Sequence, residues 1–265
     1  MPDRTGQKLS AERSRTLIKL IAVLLMVLNH VAAIFLVPGA PLYALLTGIG
    51  YFTAVTMCFF LVEGFYHTRS RRRYGARLLI FALLSEPPYL LAFFSRRTPG
   101  AIIASPLNIL FTLLLCLLML ALLDAPHIPV PLKLSGTLLL VLLTKYCDWG
   151  ILAPLFVLLF RQSRGEGIGP RMKSWLLCCL LIGADTLLEN LIWMHSALYA
   201  LLSTAAALAG PLLAALCSYF YMKEHHAGDA PLRRETRSAR FLNRWFFYFF
   251  YPAHLLLLAL LHLSI

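Results

Sequence analysis

Charge is what this chain has least of. Only 14% of its 265 residues are charged, against roughly 25% in an ordinary soluble domain. With 60% hydrophobic residues and a mean hydropathy of +0.75, the chain has more apolar surface than a globular core can hide, which excludes a soluble domain. Acidic residues are scarcer still, 12 against 24 Lys and Arg. The resulting formal net charge of +12 does not imply a nucleic-acid partner, because the cations fall in short blocks between apolar runs, where the positive-inside rule puts them. Cys-x-x-Cys and Cys/His ligand spacings are absent, so neither zinc nor a redox pair is expected, nor any other metal. Cys58, Cys116, Cys178, Cys179 and Cys217 lie inside apolar runs and read as packing residues. Fixed-period repeats, and matching halves with paired broken helices, are also missing, which argues against many transporter architectures. No stretch is long and polar enough for a separate soluble module, so residues 1–265 read as one integral membrane domain.

What is present is a series of apolar runs long enough to cross a bilayer, about 20 residues at 1.5 Å rise each. They lie at 17–37, 43–66, 76–95, 106–124, 130–146, 149–162, 175–192, 196–222 and 241–263. The expected fold is all-α, a polytopic transmembrane helix bundle of about nine spans (eight to ten). The sixth run is short, and the eighth is long enough to tilt or to break at Gly210-Pro211. Leu17 to Val37 is longer than a signal-peptide core, so an uncleaved first span is expected. With a cytoplasmic N-terminus, of the 24 Lys and Arg only Arg96, Arg97 and Lys145 fall outside, which supports both span count and orientation. The C-terminus should then lie outside, and the polar stretch from Lys223 to Arg240 should lie as a cytoplasmic loop on anionic lipid.

Ionisable groups in a membrane cost at least a few kcal/mol each, so they are expected to face the bundle interior and to serve a purpose. These are His30, Glu63, Glu86, Asp185, Glu189 and His254. Lys19 and His30 fall on one face of the first helix about 16 Å apart, the lysine near the head groups and the imidazole deeper, where it can accept a proton. The alternatives are a lysine that only snorkels and a histidine that satisfies a neighbouring carbonyl. Glu63 and His67 are i and i+4 and can pair on the helix surface. Pro87 and Pro88 remove two donors beside Glu86, and a kink there can line a cavity; a capping or pairing role for Glu86 is as open as a catalytic one. Asn108 fits a helix cap, Asp148-Trp149 the outer interface, and Tyr251 lies one turn from His254 beside Pro252. Asp185 and Glu189, also i and i+4, suit a cation between them or an ion path.

Taken together these motifs resemble the TraX family, named for a conjugative-pilin N-acetylase and related to the acyltransferase 3 group of membrane acyltransferases. The resemblance runs over nearly the whole chain. It is carried by Lys-x10-His in the first span, Phe60-Leu-Val-Glu-Gly-Phe-Tyr-His-Thr68 and Tyr74-Gly-Ala-Arg-Leu-Leu-Ile-Phe-Ala-Leu-Leu-Ser-Glu-Pro87. Leu107-Asn-Ile-Leu-Phe-Thr112, Asp148-Trp-Gly150 and Phe247-Tyr-Phe-Phe-Tyr-Pro-Ala-His254 continue it. It implies that Lys19 and His30 stand where the related acyltransferases have Arg-x10-His. Lys19, with Arg15 and Arg77, would then meet the phosphates of acetyl-CoA or another acyl-CoA, the co-substrate. His30 would deprotonate the acceptor, with Asn29, Glu63, Glu86 and His254 completing the catalytic set. Two positions depart from the family pattern. Asn29 replaces the usual Asp and cannot stabilise an imidazolium by charge, and Lys19 gives up the bidentate fork of Arg.

The resemblance therefore implies an acetyltransferase of the bacterial inner membrane that draws acyl-CoA from the cytoplasm. Its acceptor would be a pilin-like polypeptide, a glycan or a lipid. The other classes left open are a proton-coupled transporter using Glu86, Asp185 and Glu189, and a non-catalytic assembly factor for a surface structure.

Overall fold

A computed structural model describes the backbone of residues 4–95, 105–194, 196–226 and 245–264. Most of the expected cytoplasmic loop from Lys223 to Arg240 lies outside these residues. Nine helices are found among them, in the expected order: α1 (Arg4–Phe35), α2 (Pro41–His67), α3 (Arg71–Phe94), α4 (Ile109–Leu123), α5 (Val130–Thr144), α6 (Leu152–Gln162), α7 (Ile168–Met194), α8 (Ala197–His226) and α9 (Phe247–Ser264).

Six of the nine contain stretches long and apolar enough to cross a membrane: Ser14–Phe35, Pro41–His67, Arg71–Phe94, Ile168–Trp193, Ala197–Lys223 and Phe247–Ser264. The other three, α4, α5 and α6, have 15, 15 and 11 residues. At 1.5 Å per residue they are about 22, 22 and 16 Å long, short of a hydrocarbon core of about 30 Å. Their apolar runs are longer than their helices because the chain leaves the helix at polar positions: Asn108 caps α4, and residues 145–151 turn between α5 and α6. Gly210-Pro211 neither ends nor interrupts α8, which is continuous over 30 residues.

The chain folds as two compact units. The first comprises residues 1–56 and 163–248, and the second 57–162 and 249–265. In the first unit α7 packs along α8, and α1 also packs on α8. Between apolar helices in lipid the hydrophobic effect contributes little, so close backbone approach carries much of the cohesion. Gly48 and Gly210 provide it. A Cβ on Gly48 would meet the Ala206 carbonyl, and one on Gly210 would lie 2.5 Å from the carbonyl oxygen of Gly48. The same unit is tied by the Thr53 hydroxyl donating to Ala22 C=O at 2.6 Å.

The second unit is built around α4, which packs against α3, α5 and α6. Leu110, Leu113, Cys116, Leu117, Met119 and Leu120 are all buried, and an apolar helix buried round most of its circumference is the centre of a bundle. Ser70 begins α3, its hydroxyl accepting from Arg73 N–H. At one end of the unit Asp124 gathers three elements: it accepts from Tyr66 at 3.1 Å and Arg161 at 3.0 Å, with Arg71 at 3.6 Å. Towards the other end Leu107 and Cys147 form an isolated parallel bridge between the segments that precede α4 and α6.

Candidate functional site

The densest polar cluster of the second unit sits where α4 begins. From Arg71 the rise along α3 to Glu86 is about 22 Å, and from Asp124 back along α4 to Asn108 it is about 24 Å. Two separate helices thus bring Glu86 and Asn108 to one level, while α3 runs on about 12 Å further. Helix ends at such depth are tolerated only where protein satisfies their backbone groups. Here side chains do so. Glu86 Oε2 accepts from Asn108 N–H at 3.1 Å and from its side-chain Nδ2 at 2.6 Å. Asn108 Nδ2 also donates to Ala82 C=O, and Asn108 Oδ1 caps the N–H of Leu110. The N–H of Ile109 is directed at Tyr251.

Tyr251 extends the cluster. It is buried and lies within electrostatic range of Glu86, Asp148 and Tyr89. Thr112 donates from its hydroxyl to Asp148 C=O at 2.5 Å, holding the connection 145–151 against α4. Packing around Asp148 pushes its carboxyl up to about 6, against a bond from Trp149 N–H that opposes the shift. Trp149 adopts a φ of 60°, the left-handed region in which a bulky side chain is strained.

His254 joins at the same level. The Phe81 and Phe249 rings meet edge to face at 5.1 Å, and His262 Nδ1 lies 2.9 Å from Ala92 C=O, so α3 and α9 run in the same direction. Glu86 and His254 each stand about 7–8 Å beyond that aromatic pair. The buried imidazole stacks on Phe250, with Tyr251 5.5 Å away. Its Nδ1 is 2.9 Å from Phe250 C=O. A carbonyl only accepts, so Nδ1 carries a proton, and in the neutral ring Nε2 is the nitrogen with the lone pair. Ser85, fully buried beside Glu86, has no hydrogen-bond partner for its hydroxyl among the described residues.

The residues named from sequence fall into separate places. Glu86 and His254 belong to this cluster. Glu63 does not: it stands near the opposite end of the second unit, its Oε2 3.7 Å from His67 Nδ1, the i,i+4 pairing read from sequence. Lys19, Arg15, Asn29 and His30 are in the first unit, whereas Arg77 is in the second with its guanidinium 5.6 Å from the Tyr74 ring. Lys19 Nζ lies 5.2 Å from the Phe247 ring. Asn29 donates to Thr47 C=O at 3.0 Å, and a Cβ on Gly50 would strike its side chain, so it serves as a joint between α1 and α2. Asp185 and Glu189 are exposed on α7. Sequence reading placed Asp148 at the interface and missed Tyr89 and Ser85, because partners so far apart in sequence leave no local pattern. Among the described residues no three His, Cys, Asp or Glu gather to hold a metal.

Six long apolar helices, with a buried polar cluster at the start of a short one, define a helical protein associated with membranes. The chain belongs to the TraX family, matching the family described as TraX protein over residues 14–262. It is 34% identical over 244 residues to a probable fimbrial assembly protein, FimC of serogroup H1, from Dichelobacter nodosus, covering 91% of this chain and 92% of that protein. No solved structure matches the chain.

Proposed function

We propose that this protein is a polytopic acyltransferase of the bacterial inner membrane, N-terminus cytoplasmic, which moves an acetyl group from acetyl-CoA to an envelope acceptor during assembly of a surface fibre. The observation that carries the reading is the buried cluster of Glu86, Asn108, Tyr251 and His254. A membrane protein that needed only to pack would not retain so many polar groups at this depth. Membership of the TraX family and the name of the fimbrial relative support the setting. The contact of Arg71, Asp124 and Arg161 supports the orientation, since all three come from connections that the positive-inside rule assigns to one side.

In this reading the acceptor amine or hydroxyl attacks the thioester carbonyl carbon. The acceptor's proton passes to an imidazole nitrogen, the C–S bond breaks, and the same proton leaves with coenzyme A as its thiol. His254 Nε2 suits the base, because Nδ1–H fixes the tautomer and burial keeps the ring out of water. Tyr251, with the N–H of Ile109 directed at its oxygen, is an oriented dipole of the kind that stabilises a developing oxyanion. The family resemblance gives the base's place to His30 instead, so both are tested. The assay follows transfer of radiolabelled acetyl from acetyl-CoA into the protein, glycan and lipid fractions of a membrane extract. Label in one fraction identifies the acceptor class, and its loss in His254→Ala or in His30→Ala identifies the base. No label in any fraction, with the parent folded, removes the enzymatic reading.

A second reading rests on one bond set. Glu86 Oε2 is already engaged by two N–H donors from Asn108, as a purely structural tie would have it. That arrangement favours a non-catalytic assembly factor, which the same assay distinguishes.

A further inference from the structure

The opposite end of the second unit carries a charge imbalance that a structural tie does not need. Asp124 meets Arg161 at 3.0 Å and Arg71 at 3.6 Å. Lys133 Nζ donates to the carbonyl of Leu123, the preceding residue, at 3.1 Å. The Asp124 carboxylate thus serves two guanidinium groups, with the Lys133 ammonium held on the adjacent carbonyl. Glu63 is on the same end of α2, beside His67. The Asp124 side chain is only 17% exposed, whereas Arg71 and Arg161 are 47% and 34% exposed, so the carboxylate lies beneath and the guanidinium groups remain reachable.

Both forks are held in place. The Arg71 guanidinium lies 4.0 Å from the Phe65 ring centroid, which fixes its plane. Arg161 is anchored through Nη2, while its buried Nε has no hydrogen-bond partner among the described residues. Surplus positive charge and a buried donor lacking an acceptor, in an oriented planar group, call for a multivalent anion with several oxygens.

We propose that Arg71 and Arg161, organised by Asp124, form a phosphate-recognising site at this end of the protein, with Lys133, held on the carbonyl of Leu123, beside them. Two sources share that chemistry: the phosphates of coenzyme A and the head group of an anionic phospholipid. The assignment to coenzyme A rests on the acyl-transfer reading, whereas the phosphate site itself rests on the geometry. It places phosphate recognition on Arg71 and Arg161 in the unit that contains the Glu86 cluster.

The test titrates coenzyme A into the purified full chain in phosphatidylcholine nanodiscs, and repeats the titration in discs containing phosphatidic acid. Arg71→Gln and Arg161→Gln should each weaken coenzyme A binding about tenfold, while Lys173→Gln, in the first unit, should leave it unchanged. Arg161→Lys keeps the charge and loses the fork; it should weaken binding severalfold, and it serves if the glutamine variant fails to fold. If the ligand is a lipid, phosphatidic acid should raise the melting temperature of the parent and not of the two arginine variants. Parent and variants that respond alike to both ligands would overturn the site. Coenzyme A that is bound with this dependence but never consumed would keep the site and remove acyl transfer. Transfer with an unchanged KM for acetyl-CoA in both variants, and no lipid response, would keep acyl transfer and remove the site.

Discussion

Asn108 spends nearly every polar atom it has on holding the start of α4 against α3. Replacing it with Ala would remove the side-chain donor to Glu86 Oε2 and Ala82 C=O and leave Leu110 N–H without its acceptor in a fully buried place, while the backbone N–H bond to Glu86 remains. Each orphaned group costs about 1–3 kcal/mol. Thermal unfolding in detergent should therefore show a large drop for Asn108→Ala, and an unchanged melting temperature would contradict the bonding described. Asp148 makes a pH prediction. Its folded pKa of about 6 lies above the ordinary carboxylate value, so between about pH 4 and 6 the folded state binds more protons than the unfolded one. Its contribution to stability is then most favourable below the unfolded pKa and falls as pH rises through the folded one. Asp148→Asn should flatten that decline and raise the melting temperature at pH 7; the same pH slope in both proteins would contradict it. At this scale Glu63–His67 was legible in the sequence, because i,i+4 spacing is local. The cap on Leu110 was legible for the same reason. Asn108 with Glu86, and Thr112 with Asp148, were not, because those meetings depend on how helices are arranged.

Among the elements, order and helical character were readable from hydropathy, while lengths were not. An apolar run records what lipid or protein interior tolerates, and Leu107, Tyr146 and Cys147 are apolar without being helical. The short α4 begins partway along α3, which is how the backbone N–H groups at its start reach a buried cluster. The eighth run was expected to tilt or to break at Gly210-Pro211; the break is not found, since α8 continues through Pro211 with Gly210 pressed on α2. Gly48→Ala should therefore damage the first unit, since its Cβ would run into the backbone of Ala206. Folded yield on size exclusion should fall sharply, whereas Gly169→Ala, with nothing within 4 Å of the added atom, should behave as the parent. Equal yields would show that α2 and α8 do not approach as closely as described.

For the whole molecule, the composition already required a membrane, and the distribution of cations already suggested its orientation. A cysteine-reactive, membrane-impermeant label applied to intact cells tests this directly. Pro38→Cys, between α1 and α2, should react, and Arg72→Cys, at the start of α3, should react only after lysis. Labelling of Arg72→Cys in intact cells would invert the topology. Division of the chain into two units was not legible, because it depends on which helices pack, and hydropathy is blind to partner choice. The residues expected to form one catalytic set are consequently shared out: His30 and Asn29 belong to the first unit, Glu86 and His254 to the second. The most direct measurement is the rate at which purified parent, Glu86→Gln and His254→Ala release free coenzyme A thiol from acetyl-CoA in the presence of a membrane extract. Acyl transfer at the buried cluster predicts acceptor-dependent release by the parent, at least a hundredfold slower release by His254→Ala, and an intermediate loss for Glu86→Gln. Equal release by all three would contradict it.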